Sequence, residues 1–291
     1  QAHTAGTVAA YIAAEKLCGR RAEEDIGLQK GNVKGRHMYN EIFDLTGKKA
    51  IVTGGAGDLG ASMVDGLVRS GADTVIIDLS DRGEELAKKY RDQGFGVWAV
   101  KTNLGDREEL ERNFAKAVEL LGGRVDILVN SAGIQIRHPS ELFPLEDWDK
   151  VIEINLTATF RCCQLAAQRM LEQGKGKIIN VASVLSFFGG YTVPAYAASK
   201  GGVAQLTKAF ANEWAAKGIN INAIAPGYYM THLNDGIRNN QARREEFLSR
   251  IPQKRFGDVE DISGIVVFLA SAASDYVNGA VIPVDGGFTG R

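Results

Sequence analysis

Thr53-Gly54-Gly55-Ala56-Gly57-Asp58-Leu59-Gly60 follows the short apolar run Ala50–Thr53 and opens a stretch with helical patterning, Leu59–Ser70. Gly55, Gly57 and Gly60 meet the G-x-G-x-x-G spacing at a strand-to-helix junction. Glycines there let the backbone turn tightly and come close to a pyrophosphate. The free N–H groups and positive dipole end of the helix favour an anion. Asp78 closes the next apolar run about 18 residues on. A carboxylate at that point accepts hydrogen bonds from ribose hydroxyls and repels a 2′-phosphate, so NAD(H) is expected in preference to NADP(H), with Arg82 close by.

Outward from this turn the same alternation continues to the end of the chain. Strands are expected at Ala50–Thr53, Thr74–Asp78, Val97–Val100, Ile127–Asn130, Lys177–Val181, Ile219–Ala225 and Val281–Val284. Helices are expected at Leu59–Ser70, Glu84–Gln93, Arg107–Leu121, Trp148–Gln173, Tyr196–Lys217 and Val259–Ala270. Continuous apolar strands alternating with helices imply an α/β domain. Its centre is one Rossmann-like, doubly wound parallel sheet of about seven strands with helices on both faces. Ligands then bind at the carboxyl ends of the strands.

Residues 1–40 read differently. Val8–Leu17 is Ala-rich, Arg20–Asp25 is charged, and Gly27–Gly35 has linker composition. These residues are expected to form a partly helical or flexible N-terminal extension, with residues 41–291 as the single domain. Gln1 in place of Met points to processing, truncation or engineering, and the N-terminus lacks the apolar centre of a secretory signal. The 291 residues are 45% hydrophobic, enough for a large core. With 34 basic and 35 acidic residues the net charge is −1, which argues against a nucleic-acid or anionic-membrane partner. No apolar run approaches the roughly 18–20 residues that cross a bilayer. Cys18, Cys162 and Cys163 lack metal-ligand spacing, so no metal is expected. Free thiols suit a reducing compartment, the cytoplasm.

Tyr196 and Lys200 stand at i and i+4, on one helix face. A phenol is a poor base at neutral pH, and an ammonium beside it is expected to draw its pKa down. Ser183 follows a buried strand and could polarise a substrate oxygen. Asn130-Ser131-Ala132-Gly133 leaves the fourth strand at the same edge.

The chain from about Phe43 onward resembles a short-chain dehydrogenase/reductase. The likeness rests on the glycine turn, Asn130-Ser131-Ala132-Gly133, Ile154-Asn155-Leu156, Ser183, Tyr196-x-x-x-Lys200 and Pro226-Gly227. It implies Tyr196 as proton donor and acceptor, Ser183 as its substrate-orienting partner, and Lys200 as a group that tunes Tyr196 and holds the nicotinamide ribose. It implies that Asn155 anchors a proton-relaying water. It assigns the dinucleotide to Gly54, Gly55, Gly57, Asp58, Leu59, Gly60, Asp78, Asn103, Leu104, Asn130, Ala132, Gly133, Tyr196, Lys200, Pro226, Gly227 and Thr231. In the family's register the middle glycine of the turn is Asp58 here, a carboxylate expected to repel the pyrophosphate. Asn103 stands where the family has Asp, and Ser131 where it has a second Asn. Helical faces on Trp148–Gln173 and Tyr196–Lys217 would, by the same resemblance, assemble a homotetramer.

A narrower likeness is to the 2-dehydro-3-deoxy-D-gluconate 5-dehydrogenases, also called 2-deoxy-D-gluconate 3-dehydrogenases. It is carried by Ala182–Gly190, Ala211–Trp214, Asn222–Tyr228 and Ser274–Gly279. It implies a sugar acid or keto-sugar acid as substrate. Arg137, His138, Tyr228 and Arg255 are the candidates to meet it, the arginines through their planar forks. The polar stretch Tyr228–Ile251 has the length of a segment that covers a site, and Asn234–Glu246 is expected to be weakly anchored and partly disordered without ligand. Gluconate 5-dehydrogenase-like, polyol or 3-ketoacyl thioester reduction is the alternative chemistry. A dinucleotide-binding sensor without turnover is the alternative class.

Overall fold

The computed structural model describes residues 41–231 and 240–290, all but Glu41 within a unit spanning Ile42–Arg291. The expectations for residues 1–40 lie outside the described residues. Seven parallel strands form one sheet: β1 Lys49–Thr53, β2 Asp73–Asp78, β3 Val97–Lys101, β4 Ile127–Asn130, β5 Gly176–Val181, β6 Ile219–Pro226 and β7 Val281–Val284. Their spatial order is β3-β2-β1-β4-β5-β6-β7. The direction of winding therefore reverses between β1 and β4, where Thr53 lies in register with Asn130.

Strand side chains alternate between two cores. Ile51, Val75, Ile77, Leu128 and Ile178 enter one, with Leu110 and Phe114 from α3 (Arg107–Leu120). The same core takes Cys162, Cys163 and Met170 from α5 (Ala158–Gln173), and Phe210 and Trp214 from α6 (Pro194–Trp214). Ala50, Val52, Ile76, Ile127, Val129 and Ile179 enter the other. They meet α1 (Asp58–Arg69), α2 (Arg82–Arg91) and α8 (Ser263–Ala270). Burial on both faces is why the strands read as unbroken apolar runs.

The expected helix Trp148–Gln173 is instead two helices. α4 (Leu145–Ile152) and α5 are joined by a π-helical turn at Glu153–Thr157. A helix that the strand–helix alternation did not reveal, α7, spans Gln241–Arg250. Asn240 caps it, its side chain accepting from the Arg243 N–H at 3.1 Å. Phe247 and Leu248 pack on Ile251, Phe256 and Phe288. Of the stretch Asn234–Glu246, expected to be weakly anchored, residues 240–246 cap or form the start of this helix, whereas 234–239 lie outside the described residues.

Candidate active site

A cavity of about 760 Å³ runs along the carboxyl edge of the sheet from the glycine turn, past Tyr196, to α7. Its first part is made by close backbone approach. Gly54 has φ +66°, and a Cβ there would lie 2.6 Å from the Ala132 Cα and N, so only glycine lets the turn pass the loop after β4. Gly57 caps α1, and a Cβ there would meet nothing within 4 Å but the Gly54 carbonyl oxygen, at 3.4 Å, so the space in front of it is open. Gly55 does not line the cavity. It faces Val52, Val64 and Ile76 and is a packing glycine.

Asp78 holds the turn in place: its Oδ2 accepts from the Ala56 N–H and its Oδ1 from the Ser80 N–H, each at 2.9 Å. A carboxylate has acceptor capacity left after two such bonds. Asp58 opens α1, lines the cavity and lies 3.6 Å from the Arg82 guanidinium at the start of α2. Leu59, Gly60, Asn103, Leu104, Ala132, Gly133, Pro226, Gly227 and Thr231 also line it. Asn130 does not. It is buried, donating to Asn180 Oδ1 at 2.9 Å and to the Cys163 sulfur at 3.2 Å. Asn180 in turn donates to Thr207 Oγ1 at 3.0 Å, so this polar chain clamps α6 to the sheet instead of touching a ligand. Cys162 and Cys163 are free and buried, and burial pushes the Cys162 thiol up to about 12.

At the inner end stand Ser183, Tyr196 and Lys200. Pro194 starts α6 and so sets Tyr196 and Lys200 in its first turns, on one face. The Ser183 hydroxyl is near enough to the Tyr196 phenol to hold its pKa down, and the Lys200 ammonium lies 5.8 Å from the Tyr196 ring centre. Lys200 donates to the Val181 carbonyl at 2.6 Å, and its burial lowers its pKa to about 8. The expected lowering at Tyr196 is not what the protein alone produces. Burial pushes the phenol up, the Ser183 hydrogen bond opposes this, and the Tyr228 phenol adds to it.

Asn155 sits in the π-helical turn and is fully buried. Its Oδ1 accepts from the Ile134 N–H at 2.8 Å, and its Nδ2 donates to the Ile134 carbonyl at 2.9 Å and Ser199 Oγ at 3.1 Å. Ser199 Oγ donates to the Tyr196 carbonyl at 2.8 Å. Asn155 is thus a positioning residue that ties the loop after β4 to the turn carrying Tyr196. The wider register of an α-helix loosened by one residue aims it there.

Of the substrate candidates, Arg137 and Tyr228 line the cavity, while His138 and Arg255 do not. Arg255 is held outside by Asp261 at 2.5 Å. His138 Nε2 meets Asp147 at 2.7 Å, and its backbone N–H donates to the Thr192 carbonyl at 3.1 Å. Thr192 has φ +63°, strained for a β-branched residue, and its loop leads into Pro194. His138 therefore supports the cavity wall instead of facing it. Arg243, Phe247 and Arg250 also line the cavity. Their spacing of three to four residues after a capping asparagine is the sequence signal that could have found them.

The residues from 54 to 289 match the family profile described as Enoyl-(Acyl carrier protein) reductase. The 2-dehydro-3-deoxy-D-gluconate 5-dehydrogenase of Bacillus subtilis is 45% identical over 252 residues, 87% of this chain and 98% of that one. The chain belongs to the short-chain dehydrogenase/reductase family. As a member it is an oxidoreductase of the dehydrogenase/reductase class acting on CH–OH groups. The 5-keto-D-gluconate 5-reductase of Escherichia coli is 39% identical over 249 residues, covering 85% of this chain and 98% of its own. Among solved structures, a gluconate 5-dehydrogenase from Burkholderia cenocepacia in complex with NADP and tartrate superposes with a TM-score of 0.83. It is 38% identical, over 87% of this chain and 99% of that one. The family's nicotinamide dinucleotide fits the residues present here: the open Gly57 cradle, the helix N-terminus and the Asp78 carboxylate lie along one continuous cavity that ends at Tyr196.

Proposed function

We propose that this short-chain dehydrogenase/reductase interconverts a secondary alcohol and a ketone on a sugar acid of the 2-keto-3-deoxygluconate or 2-deoxygluconate type. The convergence of Ser183 and Tyr196 at the inner end of the cavity, with Lys200 buried behind them, carries the reading. The bound dinucleotide supplies hydride exchange at its nicotinamide. In oxidation, the Tyr196 oxygen takes the hydroxyl proton while the C–H hydride leaves and the C=O bond forms. In reduction the Tyr196 O–H returns that proton to the carbonyl oxygen. Ser183 Oγ holds the same substrate oxygen and stabilises its developing charge. Burial disfavours phenolate, and the Lys200 ammonium is the charge this chain sets beside Tyr196 to draw it back toward range; an oxidised nicotinamide bound there would add a second.

Arg137, on the cavity wall beyond the reacting pair, supplies the charge for the substrate carboxylate, and Tyr228 lies beside it. NAD(H) is the preferred dinucleotide: the Asp78 and Asp58 carboxylates both line the adenosine end, and among the described residues Arg82 is the cation beside them there. The relatives' names support the sugar acid, and the name of the E. coli relative supports the 5-position of gluconate as a second reading. Assembly as a homotetramer through α5 and α6 is consistent with half-exposed Phe160 on α5. No helix among the described residues is long and apolar enough to cross a membrane. The free thiols of Cys162 and Cys163 suit a reducing compartment, and on that ground we place the enzyme in the cytoplasm.

The test is NADH formation with NAD and a panel of sugar acids, neutral polyols and a 3-hydroxyacyl thioester, with wild type beside Tyr196→Phe. Turnover on a deoxy- or keto-gluconate that drops by roughly 10²–10⁴-fold in the variant is expected. Turnover confined to neutral alcohols or thioesters would refute the sugar-acid reading. NADH binding with no turnover on any compound would favour the sensor.

A further inference from the structure

The face that α7 turns to the cavity carries Arg243, Glu246, Phe247 and Arg250, spaced i, i+3, i+4 and i+7. Phe247 anchors the centre of that face, its ring 4.5 Å from Tyr228. The Arg250 guanidinium lies 4.9 Å over the Phe288 ring, and Phe288 packs 5.2 Å from Tyr228. Arg137 reaches the same region from the loop after β4. It is near enough to Arg243 for the two charges to repel, and the Tyr228 phenol feels both Arg137 and Arg250.

These arginines differ from others near the cavity. Arg82 has Asp58 and Arg255 has Asp261. Among the described residues, none of Arg137, Arg243 and Arg250 forms an ion pair. Arg137 meets only the neutral Gln135 Oε1, at 3.0 Å. Among the described residues Glu246 is the one carboxylate lining this end, so of these groups three guanidiniums leave two positive charges uncompensated. A single carboxylate presents one fork and fills one guanidinium. Like charges brought together at a cavity mouth without partners are costly unless the ligand brings the missing anions.

We infer that the substrate end accommodates two acidic groups. On this inference, which rests on the sugar-acid reading above and narrows it, a sugar acid bearing a second acidic group is used in preference to the monoanionic gluconates named there. Arg137 takes its carboxylate, and Arg243 with Arg250 takes a second acidic group elsewhere on the carbon chain. That second group is a carboxylate, as in a sugar diacid, or a phosphate monoester, as in a phosphorylated sugar acid.

The experiment compares kcat/KM for D-gluconate, D-glucarate and 6-phospho-D-gluconate at saturating NAD, in wild type, Arg243→Gln and Arg250→Gln. A dianion is expected to exceed gluconate by roughly tenfold or more, the worth of one charged hydrogen-bonded contact. The ratio should fall toward one in each variant. Preference for glucarate or for phosphogluconate identifies the second group. Gluconate used as well as both dianions, or a ratio unmoved by both substitutions, would overturn the inference. The same compounds are titrated against the enzyme with NADH bound, following protein fluorescence. If none is turned over, dianion-selective binding that depends on Arg243 and Arg250 still supports the two-anion site and counts only against the sugar-acid reaction. Equal binding of gluconate and both dianions overturns the two-anion site.

Discussion

Replacing Gly60 by alanine tests whether the glycine turn is built by contact between its own backbone atoms. Gly60 lies in the first turn of α1, where a Cβ would fall well inside contact distance of the Gly54 carbonyl oxygen. It would also sit 2.9 Å from the Gly54 carbonyl carbon and 3.0 Å from the Gly55 Cα. These neighbours are backbone, and Gly54 is itself pinned by its N–H bond to the Ile77 carbonyl at 2.8 Å and by its closeness to Ala132. The turn therefore cannot step aside without disturbing β2 or the loop after β4. Overpacking of this kind costs about 1–3 kcal/mol, against which alanine returns up to about 1 kcal/mol of helix propensity. Because the overlap falls on backbone, the cost lies at the upper end of that range, and the net loss of about 2 kcal/mol lowers the melting temperature of a domain this size by roughly 4–8 °C. The shifted turn should also weaken NADH binding by roughly tenfold. Thermal denaturation and fluorescence titration with NADH read both effects. Gly264→Ala in α8, where a Cβ meets nothing within 4 Å, is the matched control and should melt no lower than wild type. If Gly60→Ala melts with wild type and binds NADH equally well, the contact argument is wrong.

Two further outcomes follow from the charges in the cavity. The buried Lys200 has its pKa lowered from 10.5 to about 8, so between those values the unfolded state binds more protons and stability rises with pH. Below pH 8 the buried ammonium imposes its full cost, up to about 3 kcal/mol, so the stability of wild type relative to Lys200→Met should improve as pH rises from 8 toward 10.5. Parallel curves for the two proteins in urea titrations at those pH values would refute it. At the other end, Asp58→Gly should tighten binding of both dinucleotides. Arg82→Ala should weaken NADPH relative to NADH by roughly fivefold, as measured by dissociation constants; an unchanged ratio would remove Arg82 from cofactor choice.

Local chemistry made much of this protein readable in its sequence. Strands buried on both faces must be apolar throughout, so the central strands stood out to within a residue at each end, and the partly buried edge strands β3 and β7 kept enough apolar residues to be read as well. The glycine turn, Asp78, and the i, i+4 pair Tyr196 and Lys200 are near neighbours whose relation is set by helix and turn geometry, and the fold brings them to one cavity. Folding across the sheet settled the rest. Asn130 and Gly55 share a motif with residues that line the cavity, yet the twist of the chain turns them into the interior. His138 and Arg137 are adjacent, and only the path of the Thr192 loop determined that one supports the wall while the other faces the cavity. Helix α7 buries none of its residues fully, so its polar sequence lacked the apolar stripe that betrays a helix. The balance at Tyr196 between burial, a serine hydroxyl and a second phenol is likewise a property of distances between elements, which no spacing along the chain encodes.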